Sequence, residues 1–326
     1  MAFQRSDAVK YADKFWNIPA DDGVFWLSNE AVSIAQVRTH NIIPTSFWQK
    51  APVAEGWQPF FVDNGLKAEK AVFQRTVGAT TEEILINPWE GIADCAHFLS
   101  RCLSAGGLKI AERGVPSLVN KLQSLPNTKT LCEQVPKEGG QRVIDSGVFK
   151  PGDMIGYFNI DPAGDYGGAK EYTHSTMYVG KIAGKTDGGV TCHTVCRFPG
   201  RSWLEDSWWL KPPGHYTYTL IHITDDDPRP DPAKVSAITG WWQLDYGGRT
   251  EYYLMQNGSV AYTKKAPTSA RTAIHVPEGT AYWFMSPFGD ITFTWRKTGT
   301  VEVWTPSASG FSSNVNGVPG VLTKLF

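Results

Sequence analysis

The chain has 326 residues, long enough for two domains that each bury a core of their own. Its 31 basic and 32 acidic side chains leave a net charge of −1, which removes the electrostatic case for a nucleic acid or an anionic membrane as main partner and favours a neutral or zwitterionic substrate. The five cysteines form no dense disulfide framework, their odd total leaves at least one thiol unpaired in a monomer, and no stretch of ~18 apolar residues marks a membrane span.

Residues 1–17 scatter charges among aromatics and lack the apolar run of a signal peptide. Synthesis in the cytoplasm without a Sec signal is expected, so action in the periplasm or cell wall would need a specialised secretion system. Helical patterns follow near residues 6–15, 94–105 and 117–125, and then short strands over 154–195. Residues 225–234 combine four acids with three prolines, a composition expected neither to pack nor to sustain a helix or a central strand. The domain boundary is placed there, dividing the chain into 1–224, a linker 225–234, and 235–326. In the last part, residues 252–256, the pair Asn257-Gly258, and residues 259–263 have the strand, turn, strand signature of a two-residue hairpin. Ile291, Phe293 and Trp295 alternate with Thr292, Thr294 and Arg296, Thr298-Gly299 turns the chain, and residues 301–304 return it. A small antiparallel barrel or sandwich is predicted. Its 15 aromatics either line a groove for substrate or glycan or build the core, and a domain this small needs aromatics for its core first.

The segment 87–107 carries the first chemical candidate. With Asp94 as N-cap, Cys95 occupies the first turn of a helix, where unpaired backbone N–H groups and the macrodipole favour negative charge and lower a thiol's pKa. The apolar stripe Cys95, Phe98, Leu99, Cys102 and Leu103 buries this helix lengthwise, with Cys95 at its exposed end and Cys102 inert in mid-stripe, and Gly106-Gly107 ends it. Taken alone, Cys95 reads equally well as a small core residue. A thiolate nucleophile needs a base, and the base needs a group to orient it. A strand over 173–180 puts His174, Thr176 and Tyr178 on one face, and residues 190–195 return after a turn-rich stretch. A register centring that loop near Ala183 and Gly184 sets His193 opposite His174, with Cβ atoms ~4.5–5.5 Å apart. A single strand histidine is usually structural. What marks these residues out is the joint order of a Cys at a helix start, a Gly152-Asp153 strand entry, a His opening the next strand, and a polar residue on its return. Asp153 reads as a turn residue. Cys192, His193 and Cys196 match no common zinc spacing, and Cys192 falls on the face opposite His193, so neither metal nor cofactor is expected. Trp203, Trp208 and Trp209 either wall a groove or pack.

These residues together resemble the amidase-domain family related to the NlpC/P60 branch of papain-like cysteine peptidases. The match runs through Asn87-Pro88-Trp89, then Asp94-Cys95, Phe98, Ser100, Cys102-Leu103 and Ala105-Gly106-Gly107, then Gly152-Asp153, His174, Thr176, Tyr178-Val179-Gly180 and His193-Thr194, over roughly residues 80–210. The resemblance implies an α+β, papain-like domain in which the helix bearing the Cys packs on an antiparallel sheet bearing the His, followed here by the all-β barrel or sandwich. It implies Cys95 as nucleophile, His174 as general base and His193 as orienting residue, with Trp89, Asp94 and Tyr178 as oxyanion or groove candidates. Asp94 also serves as the helix cap, and the backbone N–H of Cys95 is a further oxyanion donor. His97 and Arg101 stand where the family has Asn and Gln, which bears on substrate and not on the three chemical roles. The implied activity is cysteine-dependent hydrolysis of an amide bond, as in a peptidoglycan amidase or endopeptidase, in the setting of a secreted antibacterial effector with an inhibitor protein as partner. Two alternatives use the same residues differently: an acyltransferase or transglutaminase-like enzyme, and an inactive glycan-binding protein.

Overall fold

The computed structural model describes residues 2–15, 24–27, 30–33, 58–62, 71–86, 95–160, 170–182, 187–192, 201–204, 215–225, 227, 232–256, 258–286, 288–308, 310–315 and 318–326. Among these residues the fold is mixed, with five helices and antiparallel sheets that include a closed eight-stranded barrel. No helix among them is long and apolar enough to cross a membrane. The chain divides into two compact units, one of Met1–Pro126 with Lys150–Thr217, the other of Asn127–Phe149 with Tyr218–Phe326.

The first unit begins with α1 (Arg5–Phe15). Hairpin β1 (Val24–Leu27) and β2 (Glu30–Ser33) and the three-stranded sheet β3 (Gln58–Val62), β4 (Ala71–Val77) and β5 (Thr80–Ile86) follow. Next come α2 (Cys95–Ala105) and α3 (Val115–Ser124). Ala8 and Ala12, one helical turn apart and wholly buried, give α1 a smooth face on the side where it meets α2. Helix α3 buries Val115, Leu118, Val119 and Leu122, the spacing of one helical face. Helix α2 ends in a Schellman turn, with Leu108 N–H on the Leu103 carbonyl at 3.0 Å, Gly107 N–H on Ser104 at 2.9 Å, and Gly107 in the left-handed region at φ 98°. A side chain on Gly106 would collide with the ring of Phe3, so the glycine pair serves both the turn and the packing of the N-terminal segment.

Strands β7 (Met154–Asn159), β8 (Tyr172–Lys181), β9 (Gly188–Thr191) and β10 (Arg201–Ser202) complete this unit, in the spatial order β10-β9-β8-β7. Strand β8 is buried from His174 to Tyr178 on both faces, and α1, α2 and α3 all touch it.

The second unit joins β6 (Thr128–Val135), α4 (Lys137–Asp145) and the paired length of β11 (Tyr216–Ile223) to the barrel. All three lie on the N-terminal side of the acidic, proline-rich segment at which the sequence places a boundary. Pro232, read there as unable to sustain a helix, instead opens α5 (Pro232–Ile238). At the first helical position proline's missing N–H has no intrahelical partner to lose, and its fixed φ already suits the helix.

The barrel runs β12 (Gly240–Tyr246), β13 (Arg249–Gln256), β14 (Ser259–Thr263), β15 (Gly279–Met285), β16 (Ile291–Trp295), β17 (Val301–Ser307), β18 (Gly310–Val315) and β19 (Val318–Lys324), each paired with the next, and β19 closes on β12. The two strands read on either side of Asn257-Gly258 do pair, with Gln256 opposite Ser259 and Gly258 at φ 73°, while Asn257 lies outside the described residues. Trp242, Tyr253, Trp283, Phe293 and Trp304 are buried in the barrel core, and Trp304 meets Phe293 at 4.4 Å and Tyr253 at 5.3 Å between ring centroids. The core use of the aromatics therefore holds for these five.

Helix α4 contains Gly139 and Gly140, which disguise it in the sequence. A Cβ on Gly139 would sit 2.7 Å from the carbonyl oxygen of Thr298, and that same carbonyl accepts from Arg142 Nη2 at 2.8 Å. Close approach of helix backbone to barrel turn is what requires the glycine. Gly139→Ala improves helix propensity by ~1 kcal/mol but overpacks this contact, so a net loss of about 1–2 kcal/mol is expected in chemical denaturation. A stabilised variant would show that the turn yields freely.

Candidate active site

Cys95 is the first residue of α2, within the turn whose unpaired N–H groups favour an anion. Its surroundings differ from the expectation. The residue is 3% exposed, not at an open helix end, and the burial of α2 extends past the predicted stripe to Ala96, His97 and Ser100. The reason is that α2 meets three neighbours, α1, α3 and β8, where the sequence pattern accounted for one. Ser100 and Ser104 satisfy their hydroxyls on the carbonyls of Glu112 and Ile110, both at 2.7 Å, which fastens the following loop to the helix.

His174 lies in β8, the strand against which α2 rests, and is 5% exposed. Its cross-strand partner is Tyr157 of β7, with ring centroids 4.9 Å apart at 49°. The Tyr157 hydroxyl donates to the carbonyl of Trp203 at 3.2 Å and lies 3.4 Å from Thr176 Oγ1. A ring held at its far end in this way limits how the imidazole can tilt. Tyr157 was missed in the sequence, although antiparallel pairing of 154–158 with 173–180 places a residue of that strand opposite His174.

The register read for the next pair is corrected. A hairpin that set His193 opposite His174 would place Met177 opposite Val190, whereas Met177 faces Thr191 and Tyr178 faces Val190. The pair is displaced by one residue because the loop centres closer to Asp187, where Ile182 N–H reaches the Asp187 carbonyl at 3.2 Å and Lys181 faces Gly188. A bulge between Tyr178 and Gly180, the latter at φ 117°, then absorbs part of the offset. His193, Cys196, Trp208 and Trp209 lie outside the described residues, as do Trp89 and Asp94.

Tyr178, expected beside a groove, is 3% exposed, and its backbone is pinned from both sides: Gly152 N–H donates to its carbonyl at 2.8 Å, and its own N–H donates to the Asp153 carbonyl at 2.9 Å. Gly152 adopts φ 93°, the left-handed conformation such a turn needs. Asp153 is more than a turn residue. Its wholly buried carboxylate takes Arg5 Nη1 at 2.6 Å and the backbone N–H of Lys150 at 2.7 Å, tying α1 to the entry of β7. Trp203 is wholly buried and donates its backbone N–H to Gly188, so of its two readings packing is the one observed.

Cys102 and Cys132 are wholly buried, Cys192 is 1% exposed, and none is in a disulfide. Burial pushes the Cys132 thiol up to about 12, beyond ionisation at neutral pH. No family model, no curated protein and no solved structure matches the chain.

Proposed function

We propose that the chain is a cysteine-dependent amide hydrolase of papain-like, NlpC/P60-type arrangement, acting on a peptidoglycan peptide. The observation that carries this reading is that α2, opened by Cys95, rests against β8, the strand that holds His174. In this mechanism the Cys95 sulfur attacks the carbonyl carbon as a thiolate, and the carbonyl oxygen takes the charge within reach of the Cys95 backbone N–H. The C–N bond then breaks as protonated His174 gives its proton to the leaving amine. Water attacks the thioester, His174 takes a proton from it, and the acid product leaves with the thiolate restored. Tyr157 positions His174 from behind. His193 keeps the orienting role that motif order assigns to it, on the order alone.

A second reading has its own observation. Cys95 and Tyr178 are each 3% exposed, the burial of packing residues, and this favours a non-hydrolytic protein whose working surface is the barrel. Mass spectrometry of the soluble fragments from purified sacculi separates the two. The hydrolase reading expects fragments cut at one amide bond with the full chain and none with Cys95→Ala. Equal fragment release by that variant, or none by either protein, contradicts it.

A further inference from the structure

The two ends of the barrel differ. At one end α5 acts as a stopper: Ile238 is buried in the core, its carbonyl accepts the Trp242 indole N–H at 2.7 Å, and Lys324 reaches the Ala237 carbonyl at 2.6 Å. At the opposite end, where β13, β15 and β17 begin and β14, β16 and β18 finish, the interior opens into a cavity of ≈ 220 Å³. Three rings form its wall. Tyr262 stacks on Tyr253 at 5.8 Å, and Trp295 stands edge-on to Tyr262 at 5.3 Å and to Tyr253 at 6.0 Å. A side chain on Gly279 would strike the Tyr262 ring, so the glycine leaves that ring its place.

Three carboxylates line the same cavity, and of these Glu278 is paired with Lys264 at 3.1 Å, which leaves Glu251 and Glu302. Glu302, 8% exposed, accepts the Trp304 indole N–H at 2.7 Å and the Ser313 hydroxyl at 3.0 Å on one oxygen, and the Trp295 indole N–H at 3.2 Å on the other. Glu251 accepts the hydroxyls of Tyr246 at 2.8 Å and Tyr253 at 2.9 Å, one on each oxygen. Five donors thus hold Glu251 and Glu302 in place. Burial raises the Glu302 carboxyl, and the nearby Glu251 charge adds to the effect. Among the described residues neither acid has a lysine or arginine at ion-pair distance: Lys264 is spent on Glu278 at 3.1 Å, and Lys297 is exposed at the rim.

We infer that this end of the barrel is a binding site for a protonated primary amine on an alkyl stem. A carboxylate offers about four lone-pair positions, and Glu251 and Glu302 use two and three of theirs, so what the cavity leaves unmet is acceptor capacity and negative charge. An alkylammonium brings three N–H donors and the opposite charge, and its stem and cation both gain from aromatic walls. A quaternary ammonium lacks the donors, and a neutral hydroxyl compound lacks the charge. The site stands on the barrel alone and is independent of Cys95.

Titration calorimetry of the full chain with n-butylammonium chloride tests it, with tetramethylammonium chloride and 1-butanol as comparisons. Butylammonium is expected to bind, tetramethylammonium to bind more weakly, and 1-butanol not to bind. Glu251→Gln, in the half-buried rim position, is expected to weaken butylammonium by ~10-fold or more while thermal unfolding stays that of the parent. Binding of 1-butanol equal to butylammonium, no heat from butylammonium, or undiminished affinity in Glu251→Gln overturns the inference. The first two results stand on the parent protein and do not depend on how the variant folds.

Discussion

On the proposed mechanism, Cys95→Ala is expected to lower amide hydrolysis by ~10⁴-fold or more while leaving the fold in place. Removing the nucleophile deletes the covalent route, and what remains is the contribution of oxyanion donors and substrate binding. The substitution removes one sulfur from the first turn of α2, and alanine is the stronger helix former, so the scaffold should lose little. The same loss is expected for His174→Ala, because an uncharged thiol is a poor nucleophile and the leaving amine would depart without its proton. Cys102→Ala and Cys192→Ala serve as controls: both remove buried sulfurs, and both should retain the parent rate per folded molecule. Rates of soluble fragment release, normalised to folded protein, provide the comparison.

Asp153→Ala is expected to destabilise the first unit by ~3–5 kcal/mol. The Asp153 side chain is wholly buried and that of Arg5 is 11% exposed, with 2.6 Å between the paired atoms. Taking one member away leaves the other's charge desolvated, which costs more than the pair contributes. Arg5 also donates to the Pro151 carbonyl at 3.0 Å, and Asp153 to its own turn takes the Lys150 N–H, so the loss reaches both the α1 attachment and the β7 entry. Replacing both residues by apolar ones of similar size should recover most of the loss. The exposed pair Lys10–Asp7, at 3.8 Å, is the contrast: its removal should not change the urea midpoint measurably. Urea denaturation of the single and double variants checks all three expectations, and a loss below ~1 kcal/mol for Asp153→Ala would mean the site fills with water or neutralises.

What the sequence discloses is local. The first-turn position of Cys95, the Schellman glycines after it, the strand bearing His174 and the paired strands on either side of Asn257-Gly258 all follow from patterns a few residues long, and each is present. What it conceals depends on distant partners. Helix α4 carries Gly139 because a barrel turn lies against it, and with Gly140 beside it the segment reads as a broken helix until that turn is known. Arg5 and Asp153 are far apart in the chain, and nothing nearby in sequence announces the pair. The described β8–β9 pairs are displaced by one residue from the register read in the sequence, because a bulge and a shifted loop centre cannot be read from alternation. The exposure expected of Cys95 fails because three elements converge on α2. Trp295 and Tyr262 look like core aromatics in the sequence, and only barrel closure brings them beside Glu251 and Glu302.

In the proposed mechanism the Cys95 sulfur is held as an anion through His174. Peptide-resolved alkylation with iodoacetamide across pH tests it most directly, in the parent chain and in His174→Ala. Cys95 is expected to react ahead of every other described thiol, with a rate that reaches half its maximum well below the ordinary thiol value of about 8.5, and His174→Ala is expected to move that midpoint up towards it. A Cys95 midpoint at or above about 8.5 that His174→Ala leaves unchanged, or a Cys95 no more reactive than Cys132, whose thiol is pushed up to about 12, contradicts it.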